Sequence, residues 1–86
     1  MAHCKYFVTS SALRDLKKIA DADRRRIGRK LQYFISVDDP LGFAIQLTGV
    51  KPPIYRYRIG KYRIFFSAQG NTLHILNVSL RGKAYR

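Results

Sequence analysis

The stretch Ile54 to Phe66, read I-Y-R-Y-R-I-G-K-Y-R-I-F-F, restricts the fold more than any other part of the chain. Arg56, Arg58 and Arg63 alternate in it with Tyr55, Tyr57, Tyr62, Ile64 and Phe66. Side chains of a strand point to opposite faces with a period of two. Arg56 and Arg58 therefore share one face, and Tyr55, Tyr57 and Ile59 the other. Gly60-Lys61 supplies a turn, and the returning strand sets Arg63 against Tyr62, Ile64 and Phe66. The pattern predicts a hairpin with an apolar underside and a cationic upper side, and a polyanion lying on the latter.

The distribution of charge sharpens this. The 86 residues carry a formal charge of +12, a density that repels itself unless an anionic partner is near. Nucleic acid is the leading partner class and an acidic protein the second. All five carboxylates (Asp15, Asp21, Asp23, Asp38, Asp39) lie in the first 39 residues, and there is no glutamate. From position 40 onward there are eight lysines and arginines and no acid. Metal-dependent phosphodiesterases hold Mg²⁺ or Mn²⁺ with carboxylate oxygens, which the half bearing the cationic strands cannot supply. Phosphoryl chemistry here is expected to need neither metal nor cofactor.

A hydrophobic fraction of 47% suits one globular domain spanning residues 1–86. Cys4, the single cysteine, excludes an internal disulfide, fits a reducing compartment and reads as a partly buried strand residue. No apolar run approaches the ~18 residues of a membrane span and no signal-peptide pattern is present. The expectation is a soluble cytoplasmic protein without membrane contact.

In chain order, Cys4 to Val8 is rich enough in strand formers for a first strand. Thr9, Ser10 and Ser11 offer N-cap oxygens to a helix whose stripe is Leu13, Leu16 and Ile19, with Ala12 and Ala20. Asp21-Ala22-Asp23 is expected to break that helix and cap the next, about Arg24 to Val37, in which Ile27, Leu31, Phe34 and Ile35 form a buried face. Arg24, Arg25, Arg26, Arg29 and Lys30 cover the rest, either as a solvated helix face or as a dock for phosphates or an acidic partner. Asp39 and Pro40 start a short helix, Leu41 to Leu47, ended by Gly49. After the rigid Lys51-Pro52-Pro53 come the hairpin, a turn at Gly70-Asn71, and a last strand from Leu73 to Ser79. The fold class is α+β: an antiparallel sheet of about four strands, in the order β-α-α-(short α)-β-β-β, with an N-terminal helical hairpin packed on one face.

The other face then carries the chemistry. RNA is cleaved without metal when a base takes the ribose 2′-OH proton, the oxygen attacks the adjacent phosphate, and cations stabilise the transition state. Arg56, Arg58 and Arg63 supply forked donors suited to phosphate oxygens. Arg81, just past the last strand, adds a fourth, and Tyr85 can stack on a base or share in proton transfer. Two plainer readings stand beside this one: a passive RNA-binding face with tyrosine stacking platforms, and an exposed sheet face kept soluble by arginine. Inward tyrosines weaken the first. His74, by its parity with Leu76 and Val78, reads as structural, and His3 has no evident chemistry. No Gly-rich phosphate loop, Ser-His-Asp set or metal-ligand cluster is present.

Leu47-x-Gly49, then Y-R-Y-R-I-G-K-Y-R-I-F-F, then I-L-N-V-S-L-R and a closing A-Y-R resemble the RelE branch of the RelE/ParE toxin superfamily, with the best match between Leu47 and Tyr85. The resemblance implies a RelE-like fold and the toxin of a type II toxin–antitoxin pair, an mRNA interferase that cleaves ribosome-bound mRNA in the A site without metal. A cognate acidic antitoxin would neutralise it, and operator DNA would be bound only through the antitoxin complex. Arg56 and Arg58 fall at two basic strand positions of that family, often lysines; Arg63 matches its Y-R motif, Arg81 the arginine after the last strand, and Tyr85 the tyrosine near the end. Lys17, Lys18, Arg24, Arg25, Arg26, Arg29, Lys30, Lys61 and Lys83 are then candidates for contacts with ribosomal RNA. The alternatives are a ParE-like toxin that inhibits DNA gyrase on the same fold, and a non-catalytic RNA-binding module.

Overall fold

Residues 4–80 are described in the computed structural model. Their elements are β1 (Lys5–Val8), α1 (Ser10–Lys17), α2 (Asp21–Ser36), a 3-10 turn (Pro40–Phe43), β2 (Ile45–Gln46), β3 (Tyr55–Ile59), β4 (Tyr62–Gln69) and β5 (Thr72–Leu80). The five strands form one sheet in the order β1-β5-β4-β3-β2. The α+β class and the helical pair on one face agree with expectation; the strand count and the uniformly antiparallel pairing do not. β1 lies parallel to β5, Lys5 opposite Thr72 and Val8 opposite Ile75, and β2 adds a two-residue edge to β3.

The β3–β4 hairpin forms as the alternation dictates. Ile59 stands opposite Tyr62, Tyr57 opposite Ile64 and Tyr55 opposite Phe66, which gathers the apolar set on one face. Gly60 and Gly70 make the tight turns with φ of +59° each, a conformation that a Cβ disfavours. Under the sheet, Ile27, Leu31 and Phe34 of α2 meet Tyr57, Ile59, Ile64, Phe66, Leu73, Ile75 and Val78 in a continuous core. Burial of each large apolar side chain contributes roughly 1.5–3 kcal/mol. An aromatic stack runs through this core, with Phe34–Tyr57 and Tyr57–Phe66 centroids each 4.4 Å apart. The Tyr57 hydroxyl donates to the Pro40 carbonyl at 2.7 Å, and burial, with smaller contributions from Cys4 and Asp39, raises its pKa well above the ordinary phenol value.

The helices depart from expectation in three places. Asp21-Ala22-Asp23 does not break a helix; α2 begins at Asp21. Carboxylates in a first turn suit the positive end of the helix dipole, and the break falls just before. There the Arg24 guanidinium donates to the carbonyls of Leu16 at 2.6 Å and Ile19 at 3.2 Å and pairs with Asp21, closing the end of α1. The predicted helix Leu41 to Leu47 is a single 3-10 turn followed by β2. Ile45 instead pairs with Arg56, and the Leu47 amide donates to the Ile54 carbonyl at 2.8 Å. Leu13, assigned to the apolar stripe of α1, is 47% exposed; Ala12, Leu16 and Ile19 face the core.

Where β1 ends, α1 takes over the edge of β5. Thr9 caps the helix by accepting from the Ala12 amide, while its hydroxyl donates to the Ile75 carbonyl at 2.8 Å. One turn on, Asp15 accepts the Val78 amide at 2.9 Å, and Asn77 Nδ2 donates to Ser11 at 3.1 Å. The edge amide that lacks a neighbouring strand is thus paired, as a buried donor must be. Among the described residues, no helix is long and apolar enough to cross a membrane.

Candidate nucleic-acid interface

The face of the sheet turned away from α2 collects the predicted arginines. Arg58 stands directly opposite Arg63, and Arg56 opposite Phe65. On the next strand Ser79 stands opposite Arg63 and Asn77 opposite Phe65. Arg58 is exposed, whereas Arg56 and Arg63 are half-buried. Arg56 Nε and Ser79 Oγ are buried and find no hydrogen-bond partner among the described residues. A buried donor without a partner is costly. The strands KYFV, IQ, YRYRI, YRIFFSAQ and TLHILNVSL contribute no carboxylate. The five aspartates belong to the helices and their connections.

Ser79 and Phe65 did not stand out in the sequence. Their signal is parity: both fall on the Arg63 face once the β4–β5 register is known, and the tight turn at Gly70-Asn71 is the available clue. His74 requires a correction. It does not share a face with Val78, because the ladder shifts between Phe65 and Phe66 and inserts Leu76 as an extra residue. Leu73, Ile75 and Val78 face the core, while His74 stands opposite Ser67 on the arginine face. A bulge of one residue reverses the alternation beyond it.

The tyrosines go inward as the alternation requires. Tyr57 is wholly buried, Tyr62 is nearly so, and Tyr55 stacks on Phe66 with centroids 5.6 Å apart. They are unavailable as stacking platforms. Tyr62 donates to Asp23 at 2.7 Å, and that hydrogen bond, ahead of burial, raises its pKa.

The remaining cations form a separate surface. Lys17, Lys18, Arg25, Arg26, Arg29 and Lys30 are exposed on the helices, and the sheet lies between that layer and Arg56, Arg58 and Arg63. Arg24 is committed to closing α1. Lys61 sits 3.9 Å from Asp23, and with Arg26, Ile27, Ile59 and Tyr62 these residues line a cavity of about 190 Å³ at the hairpin turn. The structure therefore brings together Arg56, Arg58 and Arg63, while Arg26 reaches from α2 to the hairpin turn at Gly60. Arg81, Lys83 and Tyr85 lie outside the described residues. Among the described residues no three His, Cys, Asp or Glu side chains are grouped to hold a metal ion.

No curated protein matches the chain. Among solved structures it resembles the archaeal RelE–RelB complex from Pyrococcus horikoshii OT3, at 24% identity over 98% of this chain and 100% of that one, with a TM-score of 0.71. It also resembles the toxin–antitoxin complex RelBE2 from Mycobacterium tuberculosis, at 23% identity over 94% and 93% of the two chains, with a TM-score of 0.78. At these identities the likeness is one of fold. The family model for the ParE toxin of the type II toxin–antitoxin system parDE matches residues 6–85. The chain thus belongs to the ParE toxin family of type II toxin–antitoxin systems, within the RelE/ParE superfamily.

Proposed function

We propose that this toxin is an mRNA endoribonuclease that cuts ribosome-bound message in the A site and so inhibits translation. The observation that carries the reading is the register of Arg58 on Arg63 beside Arg56 and Ser79, on a sheet whose strands hold no carboxylate. Directly opposed like charges destabilise a strand pair, and a phosphate bound between them removes that cost. In this reading Arg56, Arg58 and Arg63 hold the scissile phosphate. The 2′ oxygen attacks phosphorus, the bond to the 5′ oxygen breaks, and a 2′,3′-cyclic phosphate and a 5′-hydroxyl result. Arg81 stabilises the charge that builds up on the phosphoryl oxygens. An arginine hardly ever deprotonates, so the proton moves through another group, for which Tyr85 is the candidate. Lys17, Lys18, Arg25, Arg26, Arg29, Lys30, Lys61 and Lys83 contact ribosomal RNA, and the helix cations reach strands other than the one being cut. Neutralisation falls to a cognate acidic antitoxin, through which alone the complex reaches operator DNA.

The match to the ParE family over residues 6–85 favours a second reading, inhibition of DNA gyrase by binding. Mapping 5′ ends of mRNA in translating extracts separates the two. Codon-phased cuts that disappear in Arg58→Ala, Arg81→Ala and Tyr85→Ala support the endoribonuclease. Intact mRNA together with gyrase-dependent DNA damage assigns the toxin to gyrase, and cuts that persist in all three variants overturn the site.

A further inference from the structure

The arginine face has a second, aromatic end. β1 sets Phe7 opposite His74, and their rings meet edge to face with centroids 6.0 Å apart and planes at 62°. Tyr6 and Val8 pack on the core, so Phe7 lies on the opposite face, where it is 58% exposed. His74 stands opposite Ser67, which follows Arg63 and Phe65 on the same face of β4. At sheet spacings Phe7 lies three strands across and one side-chain row along from Arg56, ~16 Å away. A phenyl ring left in water at the end of a cationic, carboxylate-free sheet suits a ligand carrying both phosphates and flat π faces. Single-stranded nucleic acid has both, and its bases stack on aromatic side chains irrespective of sequence.

We propose that Phe7, braced edge-on by His74, is a stacking platform for a base of the RNA strand whose phosphates lie on Arg56, Arg58 and Arg63, a few nucleotides from the scissile bond. The platform rests on the RNA-cleaving reading above and adds to it a sequence-tolerant anchor that holds the strand beside the scissile bond. Charge complementarity selects the occupant: the row from Phe7 to Arg56 holds cations and neutral groups, so a polyanion with π faces fits better than an apolar protein surface.

The test uses the purified chain and a short single-stranded RNA carrying 2-aminopurine, whose fluorescence is quenched on stacking. Wild type should quench at saturation. Phe7→Ala should bind roughly tenfold more weakly and lose the quench, Phe7→Tyr should restore both, and Arg58→Ala should weaken binding yet keep the quench at saturation. A quench that survives in Phe7→Ala, or a wild type that binds no oligonucleotide, overturns the platform. Normal RNA binding by Phe7→Ala with loss of antitoxin binding also overturns it and gives the face to an acidic protein partner. Cleavage is judged apart from this. Uncut mRNA with a Phe7-dependent quench rejects the endoribonuclease and keeps the platform; cutting with unchanged sites and KM in Phe7→Ala does the reverse.

Discussion

Removing Arg58 should stabilise the fold while it destroys the proposed RNA-cleaving activity. Arg58 and Arg63 are directly opposed across β3 and β4, where Cβ atoms are about 5 Å apart. Taking the guanidinium centres ~7 Å apart and a water-like dielectric constant, since Arg58 is exposed, their repulsion is about 0.6 kcal/mol at low salt. For a domain of this size that corresponds to a rise in Tm of about 3 °C. In 1 M salt the Debye length is about 3 Å, and the gain should shrink below about 1 °C. Arg58→Gln is therefore expected to raise Tm by about 3 °C in ~10 mM salt and hardly at all in 1 M, while mRNA cleavage falls by about 100-fold. Lys51→Gln, which removes the same charge from an exposed loop, controls for overall charge and should give a smaller shift. Arg58→Lys keeps the repulsion, so its Tm should stay put while its activity drops with the loss of the forked donor. Thermal unfolding by circular dichroism at the two salt concentrations decides the matter. A fall in Tm for Arg58→Gln, or an equal rise in both salts, would show that Arg58 supports the sheet rather than straining it for a phosphate.

Other substitutions probe the scaffold. Asp15→Ala leaves the Val78 amide at the sheet edge without its carboxylate acceptor, and urea unfolding should show a loss of about 1–3 kcal/mol. Tyr57→Phe removes the bond to the Pro40 carbonyl and should cost about 1 kcal/mol at neutral pH. Because folding raises the Tyr57 pKa above its ordinary value of 10.0, the folded chain keeps a proton that the unfolded chain releases. That stabilisation is complete below about pH 10 and declines above it by up to ~1.4 kcal/mol per pH unit. Urea titrations at pH 9 and 11 should thus show a steeper loss for wild type than for Tyr57→Phe, and equal losses would contradict the assignment. Gly28 lies within α2, and a Cβ added there meets nothing within 4 Å. Gly28→Ala should raise stability by about 0.5–1 kcal/mol, read as a higher urea midpoint with an unchanged slope.

The hairpin was legible because its information is local. Alternation of Arg and Tyr around a two-residue turn determines which side chains share a face, and it placed Tyr57 and Tyr62 in the core and Arg56, Arg58 and Arg63 together. The register of Arg58 on Arg63 follows from the same turn. Beyond the hairpin that logic weakens. Nothing around Leu76 marks a bulge, so the alternation in L-H-I-L-N-V-S-L points His74 to the wrong side. Nor does D-A-D at 21–23 announce that Arg24 will find the Leu16 and Ile19 carbonyls and let α2 start early. β2 could not be read at all, since two residues carry no period, and only the arrival of β3 makes Ile45–Gln46 a strand.

By itself, then, the sequence determined the apolar underside, the cationic upper side, and the confinement of every carboxylate to the helical half. These depend on neighbours within a turn or a strand. Tertiary structure alone decided that β1 crosses to pair in parallel with β5, setting Phe7 beside His74 at the far end of the arginine face. It also decided that Arg25, Arg29 and Lys30 stay exposed on α2 beneath the sheet, whereas Arg26 reaches the hairpin turn at Gly60. Such pairings join segments far apart in the chain, and they are chosen by which arrangement buries the shared core, a condition on the whole molecule that no local pattern expresses.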